Sequence, residues 1–189
     1  MKQPSNIIWM KRSKGFYNWA WDVVTGCKNG CDYCYARKEI IDFDNVVFHE
    51  DLLDEPYKVT PSIIFVNQLA DMMGDWVPEA WIYKIIDVMR DLPEHTFIII
   101  TKCPENYEQY DFPANCVLGV TIESPDKWYR AEIMKKYRNR KMCSVEPILG
   151  DFTGYDFSQF EQVVIGCLIG STDHSNYDSV KHTNKHYTR

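Results

Sequence analysis

Residues 25–37 read TGCKNGCDYCYAR and place Cys27, Cys31 and Cys34 within eight residues, in the spacing C-x3-C-x2-C. A loop of this size can hold three corners of one 4Fe–4S cluster, and its two glycines allow the backbone turns that aim the sulfurs inward. Three thiolates serve three of the four irons. The fourth iron is then open to a ligand that does not come from the protein.

Other interpretations of the three cysteines remain open on the sequence. Zinc normally takes four protein ligands in a structural site, and no fourth cysteine or histidine lies nearby, since the closest histidine is His49. A distant thiol such as Cys103 would complete a zinc site. Buried thiols or a disulfide are the remaining alternatives.

The composition indicates a globular protein in a reducing compartment. The chain has 189 residues, of which 45% are hydrophobic, and this is enough for one domain with a core. No apolar run approaches the roughly 18 to 20 residues that span a bilayer, and no secretory signal is present, so we expect an intracellular protein without a membrane partner. Seven cysteines, an odd number, argue against a disulfide framework, and the formal charge of −6 argues against indiscriminate binding to nucleic acid. Four cysteines outside the loop are expected to be packed core thiols: Cys103, Cys116, Cys143 and Cys167.

Apolar, β-rich segments alternate with helical patterns along the chain. Helical spacing of apolar residues runs from Pro78 to Leu92, and a second helix is expected after Ser124. The alternation predicts parallel strands joined by right-handed crossovers, and six strands are too few for a complete eight-stranded barrel. We therefore predict a partial, open six-stranded parallel β/α barrel, with an open doubly wound sheet as the alternative. The expected strands, the first of them weak, are 19–24, 63–66, 96–101, 117–122, 142–145 and 163–165.

Polar residues gather at the strand ends that precede helices. In a parallel barrel these ends share one face, where the active site is built, although polar residues that only close the barrel mouth would give the same pattern. Glu123 and Glu146 are expected to point into this mouth, because neither has a basic partner nearby in the sequence. The full set is Asn67, Thr101, Lys102, Thr121, Glu123, Ser144 and Glu146.

The domain organisation follows from composition. Residues 1–170 are assigned to the barrel domain with an N-terminal extension, and residues 171–189 to a polar C-terminal tail that is disordered or awaits a partner. Residues 43–61 are expected to form an irregular excursion from the barrel. Two basic groups are interpreted as solvated helix ends. They are Lys11, Arg12 and Lys14, and then Lys135, Lys136, Arg138, Arg140 and Lys141.

The cysteine spacing, the aromatic Tyr33 just before the last cysteine, and the position after a first strand resemble the signature of the radical SAM superfamily. Over nearly the whole chain the sequence resembles a radical-SAM-like branch common in phages and prophages, which implies the cytoplasm of a bacterial or phage-infected cell. The segments that carry this likeness are TGC…GCDYCYA, IFVNQLADMM, VPEAWIYKIIDVM, HTFIIITKCPE, VLGVTIES, CSVEPILG and VVIGC.

The resemblance implies a radical SAM enzyme whose catalytic 4Fe–4S cluster is ligated by Cys27, Cys31 and Cys34. In such enzymes the open iron chelates the amino and carboxylate groups of S-adenosylmethionine (SAM). One electron then breaks the S–C5′ bond and leaves methionine and a 5′-deoxyadenosyl radical, which abstracts hydrogen from a substrate. The implied partners are a one-electron donor of the flavodoxin or ferredoxin kind and a substrate, for which a nucleotide or nucleic acid is the candidate class.

The resemblance also assigns roles to the SAM-binding candidates. Tyr33 should lie against the adenine, and Asn67 stands where many members hold the SAM amino group with a glycine-rich strand end. Cys103 and Cys167 are departures from the branch, which usually has an arginine and a glycine there. An iron–sulfur or zinc-containing binding protein without SAM chemistry is the alternative function. Candidate contacts to ribose, carboxylate or substrate are Lys102, Thr121, Glu123, Ser144 and Glu146.

Overall fold

Eight strands and three helices make up the fold of residues 17–167, which are the residues that the structure, a computed structural model, describes. The helices are α1 (Tyr35–Glu39), α2 (Glu79–Asp91) and α3 (Tyr129–Met134). Four 3₁₀ turns connect them to the strands, at Glu50–Leu52, Pro56–Lys58, Pro104–Gln109 and Pro125–Lys127. The strands are β1 (Trp19–Trp21), β2 (Val24–Thr25), β3 (Val47–Phe48), β4 (Ile63–Val66), β5 (Thr96–Thr101), β6 (Cys116–Thr121), β7 (Arg140–Val145) and β8 (Gln162–Ile165).

Six of the strands form one sheet in the order β1-β4-β5-β6-β7-β8, and every neighbouring pair is parallel. Successive strands step across this sheet in one direction, without the reversal of order that defines a doubly wound sheet. The sheet is not closed between β1 and β8 in the described part of the chain. The predicted partial, open β/α barrel is therefore confirmed, and the doubly wound alternative is wrong.

The weak first strand, expected as a single strand over residues 19–24, is divided in two. β1 joins the parallel sheet beside β4, whereas β2 pairs antiparallel with β3, which belongs to the excursion over residues 43–61. A side-chain contact accompanies the division. Between β1 and β2, the Asp22 carboxylate accepts a hydrogen bond of 3.0 Å from the Leu69 amide, so the side chain takes a backbone donor at the point where the chain leaves the sheet.

The two faces of the sheet carry different layers of the core. Along β5, Phe97 and Ile99 belong to the large core cluster that contains the buried face of α2. Ile98 points the other way, because side chains alternate along a strand. It packs in a smaller cluster on the inner face of the barrel, together with Phe65 and Met142.

Both predicted helices are present, with different bounds. α2 begins one residue after Pro78, which is the N-cap rather than a first-turn residue. The second helix is shorter than expected: a 3₁₀ turn follows Ser124, and α3 ends at Met134. No helix between residues 17 and 167 is long and apolar enough to cross a membrane.

Some sequence predictions fall outside the described residues. The N-terminal extension with Lys11, Arg12 and Lys14, and the tail over residues 171–189, both lie there. In the second basic group, Lys135 and Lys136 follow α3, as predicted for a helix end, whereas Arg140 and Lys141 belong to β7, so the prediction of a helix end is wrong for these two. Three of the five residues form ion pairs with exposed acids. The pairs are Lys135 with Glu132, Lys136 with Glu108, and Arg140 with Glu161.

Candidate functional site

A cavity of about 690 Å³ opens where the parallel strands end at their carboxyl side. The cysteine loop lies at one edge of it, and the ends of β4, β5, β6 and β7 contribute further polar residues to its lining. Among the residues singled out from the sequence, those that line it are Cys27, Cys31, Tyr33, Cys34, Asn67, Thr101, Lys102, Thr121, Ser144 and Glu146.

The floor of the cavity is apolar. It is lined by side chains of four strands: Phe65, Ile100, Met142 and Val164. Gly119 lies between Ile100 and Met142 in the register of β5, β6 and β7. A Cβ there would lie 2.8 Å from Ile100 Cγ1 and 3.0 Å from Met142 Cγ, so the floor has no room for a larger residue. An apolar floor of this kind suits the face of a planar ring.

The cysteine loop is fixed at its start by backbone contacts. Gly26 has φ +90, and a Cβ on it would lie 2.3 Å from the Asn45 carbonyl oxygen, so glycine is required. The Cys27 amide donates to the Phe43 carbonyl at 2.9 Å, and the Arg37 guanidinium donates to the Cys27 carbonyl at 3.0 Å. Arg37 lies on α1, so this helix braces the loop that precedes it.

The three loop thiols are half-buried, and none is in a disulfide. Burial raises the pKa of the Cys27 thiol, partly offset by hydrogen bonding to Asn29. Metal coordination would counteract this rise, because a ligating thiol is deprotonated.

The three thiols are the donor set available for a metal group. Residues 17–167 contain no group of three or more His, Cys, Asp or Glu arranged to hold a metal ion. Sulfurs around a single zinc lie about 3.8 Å apart, because each is about 2.3 Å from the ion in a tetrahedron. A 4Fe–4S cluster binds each thiolate to a different iron and so accepts a wider set of sulfurs. Three thiols on one loop at the edge of an open cavity are a donor set that could ligate three corners of such a cluster.

Tyr33 lies between the second and third thiols and contributes a buried polar atom. Its hydroxyl has no hydrogen-bond partner among the described residues. Burial, followed by the proximity of Cys31 and Glu123, raises the pKa of Tyr33 well above its usual range. The Lys102 ammonium lies 5.4 Å from the centre of the Tyr33 ring, which places a cation at the mouth of the cavity.

Asp71 is a cavity residue that its local sequence does not single out. It lines the cavity, is only 5% exposed, and accepts hydrogen bonds from two other parts of the chain, the cysteine loop and the end of β5. Asn29 of the cysteine loop donates to Oδ2 at 2.8 Å. At the end of β5, the Thr101 hydroxyl donates at 2.6 Å and the Lys102 amide at 2.9 Å. Asp71 therefore ties the cysteine loop to the barrel. The available signal was a lone acid in an apolar run, Leu-Ala-Asp-Met-Met.

Asn67 is buried at the end of β4 and adopts a left-handed conformation with φ +55. Its Oδ1 accepts a hydrogen bond of 2.8 Å from the Val24 amide, and this assigns the other side-chain atom as nitrogen. That nitrogen, Nδ2, is buried without a partner among the described residues. The remaining capacity of the side chain is thus that of a donor, which suits a carboxylate or a ring nitrogen rather than an amino group.

Glu123 does not have the environment expected from the sequence. It is buried and forms an ion pair of 2.8 Å with Arg130, which also donates to the Thr121 carbonyl. The expectation that Glu123 lacks a basic partner is wrong, because the turn after β6 brings a residue seven positions ahead back onto the strand end. Glu123 is also absent from the lining of the cavity.

Glu146 follows β7 and lines the cavity without a hydrogen bond or ion pair to any described residue. Burial raises the pKa of its carboxyl from 4.5 to about 7. The carboxyl lies against Gly166 at the end of β8, where a Cβ would come within 2.6 Å of Glu146 Cδ and Oε1.

The four remaining cysteines divide into three environments. Cys116 and Cys143 are buried in the core, as predicted. Cys103 packs against the core outside the cavity lining, and burial raises its pKa to about 12. Cys167 lines the cavity, so the prediction of a packed core thiol is wrong for this residue. The strand β8 ends two residues earlier, at Ile165, which carries the following residues to the mouth.

Comparisons with known proteins were made for sequence and for fold. A family model described as protein of unknown function (DUF5131) matches residues 5–179. No curated protein matches the chain. The fold is similar to a solved structure of spore photoproduct lyase complexed with dinucleoside spore photoproduct, with a TM-score of 0.56 and 14% identity. The similarity covers 69% of this chain and 46% of that chain, so this chain spans about half the length of the solved protein. At this identity the likeness concerns the fold alone, a partial open β/α barrel.

Proposed function

The chain belongs to the DUF5131 family, and we propose that it is a radical SAM enzyme with a site-open 4Fe–4S cluster on Cys27, Cys31 and Cys34. When bound, the cluster would supply one electron to the SAM sulfonium, and cleavage would give methionine and the hydrogen-abstracting 5′-deoxyadenosyl radical. The fold is shared with spore photoproduct lyase, a radical SAM enzyme, and this supports an enzyme of the same general kind.

The observation that carries the proposal is the position of the three thiols. They line the same cavity as the polar ends of four parallel strands. A purely structural metal site needs no cavity beside it and no polar groups facing it. A cluster that binds a cosubstrate requires both, because the open iron must be reached by a molecule large enough to fill the barrel mouth.

The residues around the cavity would bind and orient SAM. The Lys102 ammonium at the mouth suits the SAM carboxylate. Asn67 Nδ2 would donate to a carboxylate or ring nitrogen once neighbouring side chains move to open this buried atom to the cavity. The Tyr33 ring would lie against the adenine. Thr121 and Ser144, at the ends of adjacent strands, are candidates for the ribose hydroxyls. The apolar floor would exclude water from a reactive intermediate.

The substrate proposed is a nucleotide or nucleic acid, and the electron donor a flavodoxin- or ferredoxin-like protein. The solved structure with the similar fold was determined with a dinucleoside lesion. The cavity of about 690 Å³ falls within the roughly 300–1,000 Å³ of ligand pockets. Such a volume accommodates a cosubstrate together with a small part of a second molecule.

One observation favours a second candidate, a metal-binding protein without SAM chemistry. Cys167 lines the cavity together with the three loop thiols. A fourth thiol could complete a closed four-cysteine site for zinc or for an iron–sulfur cluster, which would leave no open position.

Anaerobic reconstitution with iron and sulfide, followed by a strong one-electron reductant and SAM, separates the candidates. The enzyme should form methionine and 5′-deoxyadenosine even without substrate, whereas a metal-binding protein should leave SAM intact. Cys31→Ala should abolish both the cluster and the products. The matched change Cys116→Ala, at a buried core thiol, should abolish neither. Formation of S-adenosylhomocysteine alone, or no turnover by protein with a reducible cluster, would overturn the proposal. Full cluster loss in Cys167→Ala would support the closed site instead.

A further inference from the structure

We propose that Glu146 binds the N–H-bearing edge of a nucleobase in the cavity. The inference rests on the proposed function, because it identifies the chemistry of one contact within the same cavity. The base can come from two sources with this shared chemistry, the adenine of SAM or a base of the substrate.

The carboxyl of Glu146 has a defined place at the mouth of the barrel. It follows β7 directly and lies against the backbone of Gly166, one residue past β8. Any side chain at position 166 would meet it, since a Cβ there lies 2.6 Å from Oε1. A larger residue at position 166 would therefore displace the carboxyl from its present place.

Glu146 also differs from the two other acids near the strand ends. The Asp71 carboxylate accepts hydrogen bonds from Asn29, Thr101 and Lys102, and Glu123 is paired with Arg130. Glu146 has no comparable contact between residues 17 and 167. Its oxygens are not sealed off, because the residue lines the cavity and neither oxygen is among the buried atoms that lack a partner. Its hydrogen-bonding capacity is thus directed at whatever occupies the cavity.

The surroundings of the carboxyl indicate the class of ligand. Met142 on β7 and Val164 on β8 belong to the apolar floor of the cavity, and Pro147 lines the cavity beside them. This apolar surface suits the face of a planar ring. Placing a full cation there would require desolvating a charge beside apolar groups. A neutral N–H avoids this cost. With its pKa raised to about 7, the carboxyl can accept from an N–H and, when protonated, also donate to a neighbouring ring nitrogen.

The test measures binding rather than activity. Affinities for the reconstituted full chain are determined by calorimetry without oxygen, in two arms. The first arm compares S-adenosylhomocysteine with its N6,N6-dimethyl analogue, which lacks the N–H edge. The second arm, with SAM present, compares the four 2′-deoxynucleosides with their N-methylated counterparts.

The variants delete or trim the carboxyl. Glu146→Met keeps the length of the side chain and removes both oxygens, and Glu146→Gln keeps one acceptor in a nearly identical shape. Glu39→Met makes the same change at the exposed rim of the cavity and serves as the control. Thermal unfolding of each variant checks that the fold is retained.

In one arm, Glu146→Met should lower the affinity for the N–H-bearing probe about ten- to a hundredfold and leave the affinity for the N-methylated probe unchanged. Glu146→Gln should weaken it less, and Glu39→Met not at all. A loss of affinity in the first arm assigns the contact to the SAM adenine, and a loss of affinity in the second arm assigns it to the substrate base. The inference would be overturned if Glu146→Met left the affinities unchanged in both arms, or if it lowered the affinities for N–H-bearing and N-methylated probes equally. It would also be overturned if the wild-type protein bound no N–H-bearing probe. If wild-type protein binds nucleosides through Glu146 but neither SAM nor S-adenosylhomocysteine, the proposed function fails while the inference stands.

Discussion

Replacement of Glu146 by Gln should make the chain more stable at alkaline than at acidic pH, relative to the parent. Burial raises the pKa of this carboxyl from 4.5 to about 7 in the folded chain. Ionisation is therefore harder in the folded state than in the unfolded state. Below about pH 4.5 the carboxyl is neutral in both states and imposes no such penalty. As the pH rises through the interval up to about 7, the unfolded chain ionises first, so the parent loses stability.

The magnitude follows from the size of the shift. Each pKa unit corresponds to about 1.4 kcal/mol, so the full penalty above neutral pH is roughly 3 kcal/mol. Between about pH 5 and pH 8 the change amounts to roughly 2.5 kcal/mol, because part of the penalty is already present at the lower pH. The glutamine side chain of the variant cannot ionise and escapes this loss.

Urea unfolding of the metal-free full chain at the two pH values measures the effect. The free energy of unfolding of Glu146→Gln minus that of the parent should increase by roughly 2.5 kcal/mol from about pH 5 to pH 8. Glu39→Gln, at the exposed rim, controls for the loss of one negative charge. A difference that stays constant within about 0.5 kcal/mol, or that falls as the pH rises, would refute the burial of the Glu146 carboxyl.

Two further predictions concern the support of the cysteine loop. Asp71→Asn should lower the free energy of unfolding by about 2–4 kcal/mol, because the buried acceptor of hydrogen bonds from Asn29, Thr101 and Lys102 loses its charge. It should also speed alkylation of the loop thiols, whereas the control Asp75→Asn should not, and equal alkylation rates would contradict the bridging role. Gly26→Ala should prevent cluster assembly, since its Cβ would lie 2.3 Å from Asn45 O. Gly30 is also at positive φ but has no atom within 4 Å, so Gly30→Ala should lower the free energy of unfolding by only about 1–2 kcal/mol and still assemble the cluster. Comparable iron content in both variants would contradict the steric argument.

The parallel sheet was predictable because buried strands are continuous apolar runs. The bounds of β4 and β5 agree with the sequence prediction residue by residue, and β8 differs by one residue at its start. Strand ends were also predictable, because polar residues follow each run directly. This placed Thr121, Ser144 and Glu146 correctly at the lining of the cavity.

Contacts between distant segments were not predictable from local pattern. Asp71 was missed because an isolated acid after a strand has the same appearance whether it is solvated or buried among donors 30 to 42 residues away in sequence. The ion pair between Arg130 and Glu123 was not predicted, because it depends on the path of the turn before α3. Cys167 was assigned to the core because it follows an apolar run, and its position at the cavity depends on where β8 ends.

The polar groups around the cavity argue for a ligand without reference to the cysteines. The Tyr33 hydroxyl and Asn67 Nδ2 are buried without partners among the described residues, although both residues line the cavity. A buried donor left without an acceptor costs about 1–3 kcal/mol, and native structures tolerate few of them. Both atoms are closed off from the cavity, so side chains around them would have to move before a ligand could bring acceptors to them, whereas the Glu146 carboxyl already faces the cavity. A nucleoside carries hydroxyl and ring-nitrogen acceptors together with N–H donors, whereas a bare metal ion carries neither, so these polar groups favour the nucleoside-containing ligand that we propose.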